Sequence, residues 1–329
     1  MEANHNFKSW RDLLGQAIKN SQEKHRLAHE MGVKPVTLKR WASGESRPRE
    51  ENIRRLARAL PTDLSGPFFS LIEAEFPSLS QEEVVQHPIV PEIPAELYAQ
   101  AMQIYTQMPL SLAYNALYEL IFSRALEHFD PEKRGMSLVL VACVPPVGGQ
   151  KVRCLRQLRG MGTPPWERDL SRRTIFLGSE SAAGSAVMNY RGVSVSSRDA
   201  DTFTPANWTD YEQSAIASPI LRQARIAGAL LASSARPHYF DEAHQTLLDH
   251  YAHLTALLFR PEEFYDSADI MLGVMPPLAQ QLPYFENFDQ RVALKFEEAR
   301  LRRTTITIQQ ASLRAWQDIA EELLQISPH

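Results

Sequence analysis

The first sixty residues of the chain have the spacing of amphipathic helices. Apolar residues between Phe7 and Leu60 recur at intervals of three and four, which places them on one face of each helix. Turn residues divide this pattern into four helices. The second has Ser21 as its expected N-cap and ends at Gly32, and the fourth follows Pro48. The pattern therefore predicts an all-α head.

Residues 61–94 have a different character, because they are rich in proline and contain only a short helical turn or two. Such a composition is typical of a linker or an elaborated connection. Two amphipathic helices follow between residues 95 and 129, and Pro109 separates them. These helices are expected to begin a second domain.

The segment from 136 to 259 predicts an antiparallel sheet with accompanying helices. Residues 136–144 form a continuous apolar run that is typical of a buried strand, and residues 151–158 alternate as a partner strand would. Further along, the pattern predicts a strand, a short helix and a strand within 175–197, two strands at 214–221 and 226–234 that a tight turn joins, and a helix over 241–259. Asp241 is the expected N-cap of that helix.

The last part of the chain, from about Tyr284, is mostly helical and strongly charged. Its apolar residues fall near the a and d positions of a heptad repeat, but Lys295, Arg302 and Gln309 interrupt the d positions. Residues 304–308 are β-branched and form helices poorly. We expect helices that pack on a partner subunit, and no long regular coiled coil.

Charge is distributed unevenly between the first sixty residues and the rest of the chain. A chain of 329 residues is expected to form two or three domains. Residues 1–60 contain 13 Lys and Arg against 7 Asp and Glu, a net charge of +6; the whole chain carries −4, so the remainder carries −10. A basic head on an acidic body indicates a polyanion as the partner of the head, although a solvated lysine-rich surface would give the same balance.

Few other residues or motifs of the sequence indicate a specific chemical function. Two cysteines are too few for a disulfide framework, and no apolar run has the length of a membrane span or the form of a signal segment. The sequence contains no phosphate-cradling loop, no metal-ligand spacing and no catalytic triad motif. We therefore expect a cytoplasmic protein without membrane contact, and predict no enzyme activity, catalytic residue, metal or cofactor.

The sharpest motif lies between residues 27 and 48. It consists of a Leu-Ala pair, a Gly-Val turn, two apolar anchors and a later Gly and Pro, namely Leu27, Ala28, Gly32, Val33, Leu38, Trp41, Gly44 and Pro48. This pattern resembles the lambda-repressor-like (Cro-type) helix-turn-helix family. Lys34 stands where that family usually has a hydroxyl residue that caps the next helix; lysine cannot cap, but Pro35 suits a first helical turn.

The resemblance implies that the helix after the turn enters the major groove of DNA. The positions that face DNA in that family correspond here to Lys34, Pro35, Val36, Thr37, Lys39 and Arg40. Lys39 and Arg40 would pair with guanine edges, and Val36 would contact a thymine methyl group. The resemblance also implies phosphate contacts from Lys24, Ser43 and Arg47.

A second, broader resemblance concerns the middle of the chain. The run "FLGSESAAGSAVMNYRGVSVSS" contains Gly184 and returns into a strand, and a hairpin and an Asp-capped helix follow it. Over residues 97–260 this order of elements resembles a GAF domain, a family that often binds a small molecule between its sheet and the covering helix. The resemblance implies ligand contacts from Phe176, Ser181, Met188, Trp208 and Tyr211, each of which also fits simple packing. Cys154 lies on an early strand and is expected to be a small buried hydrophobe.

These patterns predict a multidomain chain in four parts. They are an all-α helix-turn-helix head (1–62), a linker (63–94), an α+β GAF-like sensor with an antiparallel sheet (95–262) and a C-terminal helical dimerisation segment (263–329). The predicted function is a one-component transcriptional regulator, a homodimer that binds a palindromic operator in double-stranded DNA and senses a small-molecule ligand or a partner. Two alternatives stay open: an adaptor whose head binds a protein, and a sensor with a bound photo- or redox-active cofactor. Salt-dependent DNA binding and the colour of the protein distinguish them.

Overall fold

The computed structural model describes residues 7, 9–60, 64, 68, 71–72, 75, 89–197, 208 and 211–326. These residues divide into two compact units, and the second begins at Ile89. The first unit is helical, and the second contains a six-stranded sheet with helices. None of the helices in the described ranges combines the length and the apolar character that a membrane crossing requires.

The first unit contains the four predicted helices. They are α1 (Trp10–Ala17), α2 (Ser21–Glu30), α3 (Pro35–Ala42) and α4 (Glu50–Ala59). Their apolar faces share one core, to which each helix contributes buried side chains, among them Leu14, Leu27, Leu38 and Leu56. The expected cap of α2 was wrong by one residue: the side chain of Asn20 accepts from the Gln22 N–H, and Ser21 is the first helical residue. Asparagine caps a helix as well as serine does, so the sequence alone could not separate them.

Part of the segment predicted as a linker joins this core. Phe68 and Ile72 are fully buried in the first unit, and the ring of Phe68 meets Trp10 edge-on with 6.3 Å between centroids. Glu75 accepts hydrogen bonds from Trp10 Nε1 at 2.7 Å and Arg11 Nη1 at 2.6 Å. These three residues therefore belong to the head. Residues 76–88 lie outside the described residues, and the domain limits given above stay predictions.

The second unit begins with the two predicted helices, α5 (Ala95–Gln107) and α6 (Leu110–Phe129). Its strands are β1 (Met136–Cys143), β2 (Leu155–Gly162), β3 (Phe176–Leu177), β4 (Val193–Val195), β5 (Ser214–Arg222) and β6 (Arg225–Ser234). They lie in the order β3-β2-β1-β6-β5-β4, and every neighbouring pair is antiparallel. The predicted antiparallel sheet is confirmed.

The start of β2 differs from the prediction, which placed the strand at 151–158. Pairing with β1 begins only at Leu155, opposite Cys143. The preceding residues pair elsewhere: the Val152 N–H donates to Asp269 O, and the Met271 N–H donates to Val152 O. A later part of the chain thus occupies the backbone that the alternating pattern assigned to the sheet.

The two faces of β1 explain its continuous apolar run. Side chains of one parity, such as Leu138 and Leu140, pack in a core with α6 and α8 (Glu242–Thr255), whose N-cap is Asp241 as predicted. Side chains of the other parity, such as Val139 and Val141, face a second cluster that includes residues of α7 (Ala182–Asn189). Both faces of the strand are therefore covered.

Three helices end the described chain: α9 (Leu278–Phe285), α10 (Phe288–Leu301) and α11 (Ile308–Ile326). Residues 304–307 are not helical, so the β-branched run interrupts the tail as expected. Ile319 and Leu323 of α11 pack with Phe176 and Cys154 of the same chain. The helices thus contact their own sheet domain, and their packing on a partner subunit stays a prediction.

Candidate DNA-contact face and ligand cavity

The turn between α2 and α3 has the geometry that its residues favour. Gly32 has a φ of 64°, in the left-handed region that glycine adopts without steric cost. The Val33 N–H donates to Ala28 O at 2.9 Å and closes the turn. Ala28 is buried, and Leu38 and Trp41 anchor α3 in the core. The predicted anchors are confirmed as core residues.

The opposite side of α3 faces solvent and is cationic. Lys34, Lys39 and Arg40 are exposed, and Val36 between them is 57% exposed. Lys34 makes no capping hydrogen bond, and Pro35 is the first helical residue. Arg40 Nε lies 3.6 Å from Glu45 Oε2, but both side chains are mostly in solvent, so this ion pair is weak and leaves the guanidinium available. One helix thus combines a buried apolar side with an accessible cationic one.

The other residues predicted to contact DNA differ in their exposure to solvent. Ser43 is exposed, whereas Lys24 and Thr37 are partly buried. Arg47 is exposed, but its Nη2 donates to Glu75 O at 3.2 Å and its Nε lies 3.8 Å from Glu75 Oε1. Glu75 would therefore compete with a DNA phosphate for Arg47.

Sequence reasoning missed Glu75, which is 64 residues from its main partner. The hydrogen bond from Arg11 lowers the pKa of the Glu75 carboxyl to about 2, with further lowering by the Trp10 N–H and the charges of Arg11 and Arg47 against an opposing effect of burial. The carboxylate is therefore charged at neutral pH. No local spacing in the sequence connects a carboxylate in a proline-rich segment to the first helix.

A second candidate site is a cavity of about 610 Å³ on the face of the sheet that α7 covers. Its floor consists of side chains from four strands: Ser137, Val139, Gln157, Ala215, Leu231 and Ser233. The register explains this grouping, because Ser137 and Val139 on β1 lie opposite Ser233 and Leu231 on β6. The volume falls within the range of ~300–1,000 Å³ that is usual for small-molecule sites.

The C-terminal helices supply a wall of this cavity. The wall residues come from all three helices: Leu278, Leu282 and Phe285 of α9, Phe288 of α10 and Trp316 of α11. The rings of Phe288 and Trp316 are stacked with 4.0 Å between centroids. Sequence reasoning missed these residues, because it assigned the tail to dimerisation and took ligand contacts only from the GAF-like region.

Of the five predicted ligand residues, Ser181 and Trp208 line the cavity. Phe176 is fully buried and does not line the cavity, although its ring centroid lies 6.1 Å from that of the lining residue Phe285. Met188 and Tyr211 are about half exposed and do not line it. Their role in ligand binding stays a prediction.

Polar groups occur at separate points of an otherwise apolar lining. Arg172 and Arg173 are exposed at the rim, and Glu212 accepts a hydrogen bond from the Ser233 hydroxyl of the floor. The indole Nε1–H of Trp208 is buried and has no hydrogen-bond partner among the described residues. Among the described residues of the lining, two arginines and one glutamate carry charge, which gives them a net charge of +1.

The wall is attached to the sheet by a small number of polar contacts. Gln281 is fully buried; its Oε1 accepts from the Phe176 N–H at 2.8 Å, and its Nε2 donates to Phe176 O at 2.9 Å. In α11, Gln317 Nε2 donates to Pro145 O at 2.7 Å, and Glu321 pairs with Arg153 at 2.9 Å. Gln281 therefore completes the hydrogen bonding of edge strand β3 as a neighbouring strand would.

The two thiols lie outside the cavity lining. Cys143 and Cys154 are free and buried. Burial raises the pKa of the Cys143 thiol to about 12 and also raises that of Cys154, so both are protonated at neutral pH. No group of three or more His, Cys, Asp or Glu side chains in the described ranges is placed to hold a metal ion.

Comparisons with known proteins identify similar structures and one family model. The crystal structure of the GAF domain from an Acinetobacter phosphoenolpyruvate-protein phosphotransferase has 15% identity and a TM-score of 0.35, and the match covers 49% of this chain and 89% of that one. A type II free methionine-R-sulfoxide reductase from Thermoplasma acidophilum has 17% identity and a TM-score of 0.32, covering 46% and 99%. The corresponding GAF domain from Coxiella burnetii has 15% identity and a TM-score of 0.34, covering 50% and 90%. No curated protein matches the chain significantly. Residues 18–66 match the helix-turn-helix family model, and this match includes α2, the turn at Gly32 and α3.

Proposed function

We propose that the chain is a one-component transcriptional regulator that works as a homodimer in the cytoplasm. Its head binds a palindromic operator in double-stranded DNA, and its cavity takes a small molecule that changes this binding. The observation that carries the proposal is the cationic side of α3, where Lys39 and Arg40 are exposed while Leu38 and Trp41 fix the helix in the core. The match of residues 18–66 to the helix-turn-helix family model supports it.

In the proposed complex α3 lies in the major groove. Arg40 and Lys39 donate to guanine O6 and N7, and the exposed Val36 contacts a thymine methyl group. Lys24 and Ser43 contact phosphates and set the position of the head on the duplex. Arg47 joins them only when a phosphate displaces Glu75. Base preference therefore depends on Arg40 and Lys39 more than on the phosphate-binding residues.

A homodimer would place two heads about one helical turn of DNA apart, roughly 34 Å, on a two-fold symmetric operator. Exposed leucines on α10 support a second copy of the chain as the partner. Leu294 and Leu301 are 60% and 80% exposed, and they lie two helical turns apart on one side of the helix.

Binding of a small molecule is preferred to enzymatic chemistry because the most nucleophilic side chains are unsuited to it. A thiol reacts as the thiolate, and both thiols of this chain are buried, with raised pKa values. The cavity contains neither of them, while its lining is largely apolar with a few polar groups, as in binding sites.

DNA binding tests the proposal. A duplex selected by the full-length protein from random DNA would be titrated in a fluorescence anisotropy assay with the wild type, Arg40→Ala and Arg300→Ala. Loss of one good base contact removes about 1–3 kcal/mol, so Arg40→Ala should bind roughly 5- to 150-fold more weakly. Arg300 is 77% exposed on α10, and its substitution removes the same charge outside the head, so Arg300→Ala should bind as the wild type does.

The salt dependence provides the second measurement. Binding through phosphate contacts weakens steeply as salt rises, because the protein releases condensed counterions. Equal affinities of the wild type and Arg40→Ala would show that Arg40 does not contact a base. Binding that does not respond to salt would show that the head makes no phosphate contacts. A protein that selects no DNA would favour the adaptor function of the head.

A further inference from the structure

The lining of the cavity defines the chemistry of its occupant, if the proposed ligand-sensing function is correct. Five of the side chains that line it are aromatic: Trp166, Trp208, Phe285, Phe288 and Trp316. Aromatic rings favour other rings in offset-stacked or edge-to-face arrangements, which adds to the effect of apolar burial. A flat ring system therefore fits this lining.

One polar group of the lining requires an acceptor. The Trp208 Nε1–H is buried and has no partner among the described residues, although buried indole N–H groups usually donate a hydrogen bond. Leaving such a donor unsatisfied is unfavourable, and a carbonyl or carboxylate oxygen of a ligand would satisfy it. Glu212, the one acidic residue that the described part of the chain contributes to the lining, already accepts from Ser233.

The charge at the rim of the cavity indicates which kind of acceptor group the ligand carries. Arg172 and Arg173 line the cavity beside Thr174 and Ile175, and together with Glu212 these described residues carry a net charge of +1. Arginine binds carboxylates in a bidentate geometry that a neutral carbonyl cannot fully use. An anionic head group is thus favoured over a neutral or cationic one.

We infer that the cavity binds an aromatic carboxylate, with its ring system against the wall of α9, α10 and α11 and its carboxylate at Trp208 Nε1 and the Arg172–Arg173 pair. The C-terminal segment is consequently part of the binding site. This assignment goes beyond the GAF-like region, because Phe285, Phe288 and Trp316 all lie after residue 262.

Isothermal titration calorimetry on the full-length protein tests the inference with two probes of the same ring system. Naphthalene-2-carboxylate carries the predicted charge, and 2-naphthylmethylammonium carries the opposite one. The carboxylate should bind with a Kd at least tenfold lower than that of the ammonium. Equal affinities, a preference for the ammonium, or no binding of either probe would overturn the assignment.

Two pairs of variants locate the carboxylate and the wall. Trp208→Phe keeps an aromatic ring but removes the donor, and it should weaken naphthalene-2-carboxylate about tenfold; Arg222→Gln, an exposed arginine outside the lining, should leave it unchanged. Leu282→Asp places a like charge in the wall and should weaken the same probe at least tenfold.

The matched control for the wall is Leu112→Asp. Leu282 and Leu112 are 52% and 56% exposed, so both variants are expected to fold, but only Leu282 lines the cavity. Equal effects of the two variants would place the ring system elsewhere. These titrations contain no DNA, so a failed probe leaves the operator measurement with Arg40→Ala unaffected, and the two proposals can fail separately.

Discussion

Replacement of Gln281 by leucine isolates the contact that attaches the cavity wall to the sheet. Leucine has a similar volume and no polar atoms, so Gln281→Leu removes the amide without opening a large space. The Phe176 N–H then loses its acceptor, and the carbonyl oxygens of Phe176 and Pro276 lose a donor. Gln281 is fully buried, so water replaces these partners poorly.

The expected cost follows from these three backbone groups. A buried donor or acceptor without a partner costs about 1–3 kcal/mol, and partial relaxation of α9 will restore some of the bonding. We expect a loss of about 3 kcal/mol in the local stability of β3, which corresponds to roughly a 100-fold larger population of the open state. The neighbouring residue Gln280 is exposed, so Gln280→Leu is the matched control and should change little.

Hydrogen exchange followed by mass spectrometry measures the local effect in the full-length protein. Peptides that contain Phe176 should exchange about 100-fold faster in Gln281→Leu than in the wild type, and at the wild-type rate in Gln280→Leu. Peptides from α2 and α3 serve as an internal reference, because those helices belong to the other unit. Unchanged exchange at β3 in Gln281→Leu would refute the conclusion that this amide completes the edge of the sheet.

Two further predictions concern titratable groups. The pKa of the Glu75 carboxyl is about 2 in the folded head, against an ordinary value of 4.5. Its contribution to stability is therefore complete above pH 4.5 and is lost as the pH falls toward 2. Thermal unfolding of Glu75→Gln, followed by circular dichroism, should show a lower Tm than the wild type at pH 7 and a flatter dependence of Tm on pH between 4.5 and 2. Cys143 and Cys154 should not react with iodoacetamide at pH 8 in the folded protein but should react fully in urea, and rapid labelling without denaturant would show that the thiols are accessible.

The sequence predicted the head well because its determinants are local. The anchors Leu38 and Trp41, the turn at Gly32 and the exposed cations all lie within one short segment, where helical period alone fixes which side is buried. The strands of the sheet were also predictable, since apolar runs and a tight turn define them. In the β5–β6 turn, Gln223 and Ala224 both have φ above 0, as a two-residue hairpin requires.

What the sequence did not predict depends on contacts between distant parts of the chain. Glu75 pairs with Arg11, and Gln281 with Phe176, across 64 and 105 residues. Trp316 has the same helical spacing whether it packs on a second subunit or on its own sheet, and periodicity does not identify the partner of an apolar face. The apolar periodicity of the tail shows that one face of each helix will be buried, but it does not show which other surface covers that face. For this reason the helices of the cavity wall were assigned to dimerisation from the sequence.

The C-terminal helices line the cavity and also carry the surface proposed for dimerisation, and this arrangement indicates how a ligand would alter DNA binding. The floor of the cavity is formed by the hydrogen-bonded strands β2, β1, β6 and β5. The wall is held by side chains: the Gln281 amide, Gln317, a partly exposed ion pair, stacked rings and the packing of Ile319 and Leu323. A ligand shifts an equilibrium only through different affinities for two arrangements, and the less constrained side of the cavity is where two arrangements are least costly. The same tail exposes Leu294 and Leu301, the surface proposed to meet a second copy. A typical coupling of 1–3 kcal/mol between ligand and operator thus requires only that the wall pack differently around the ligand and thereby change the dimer contact.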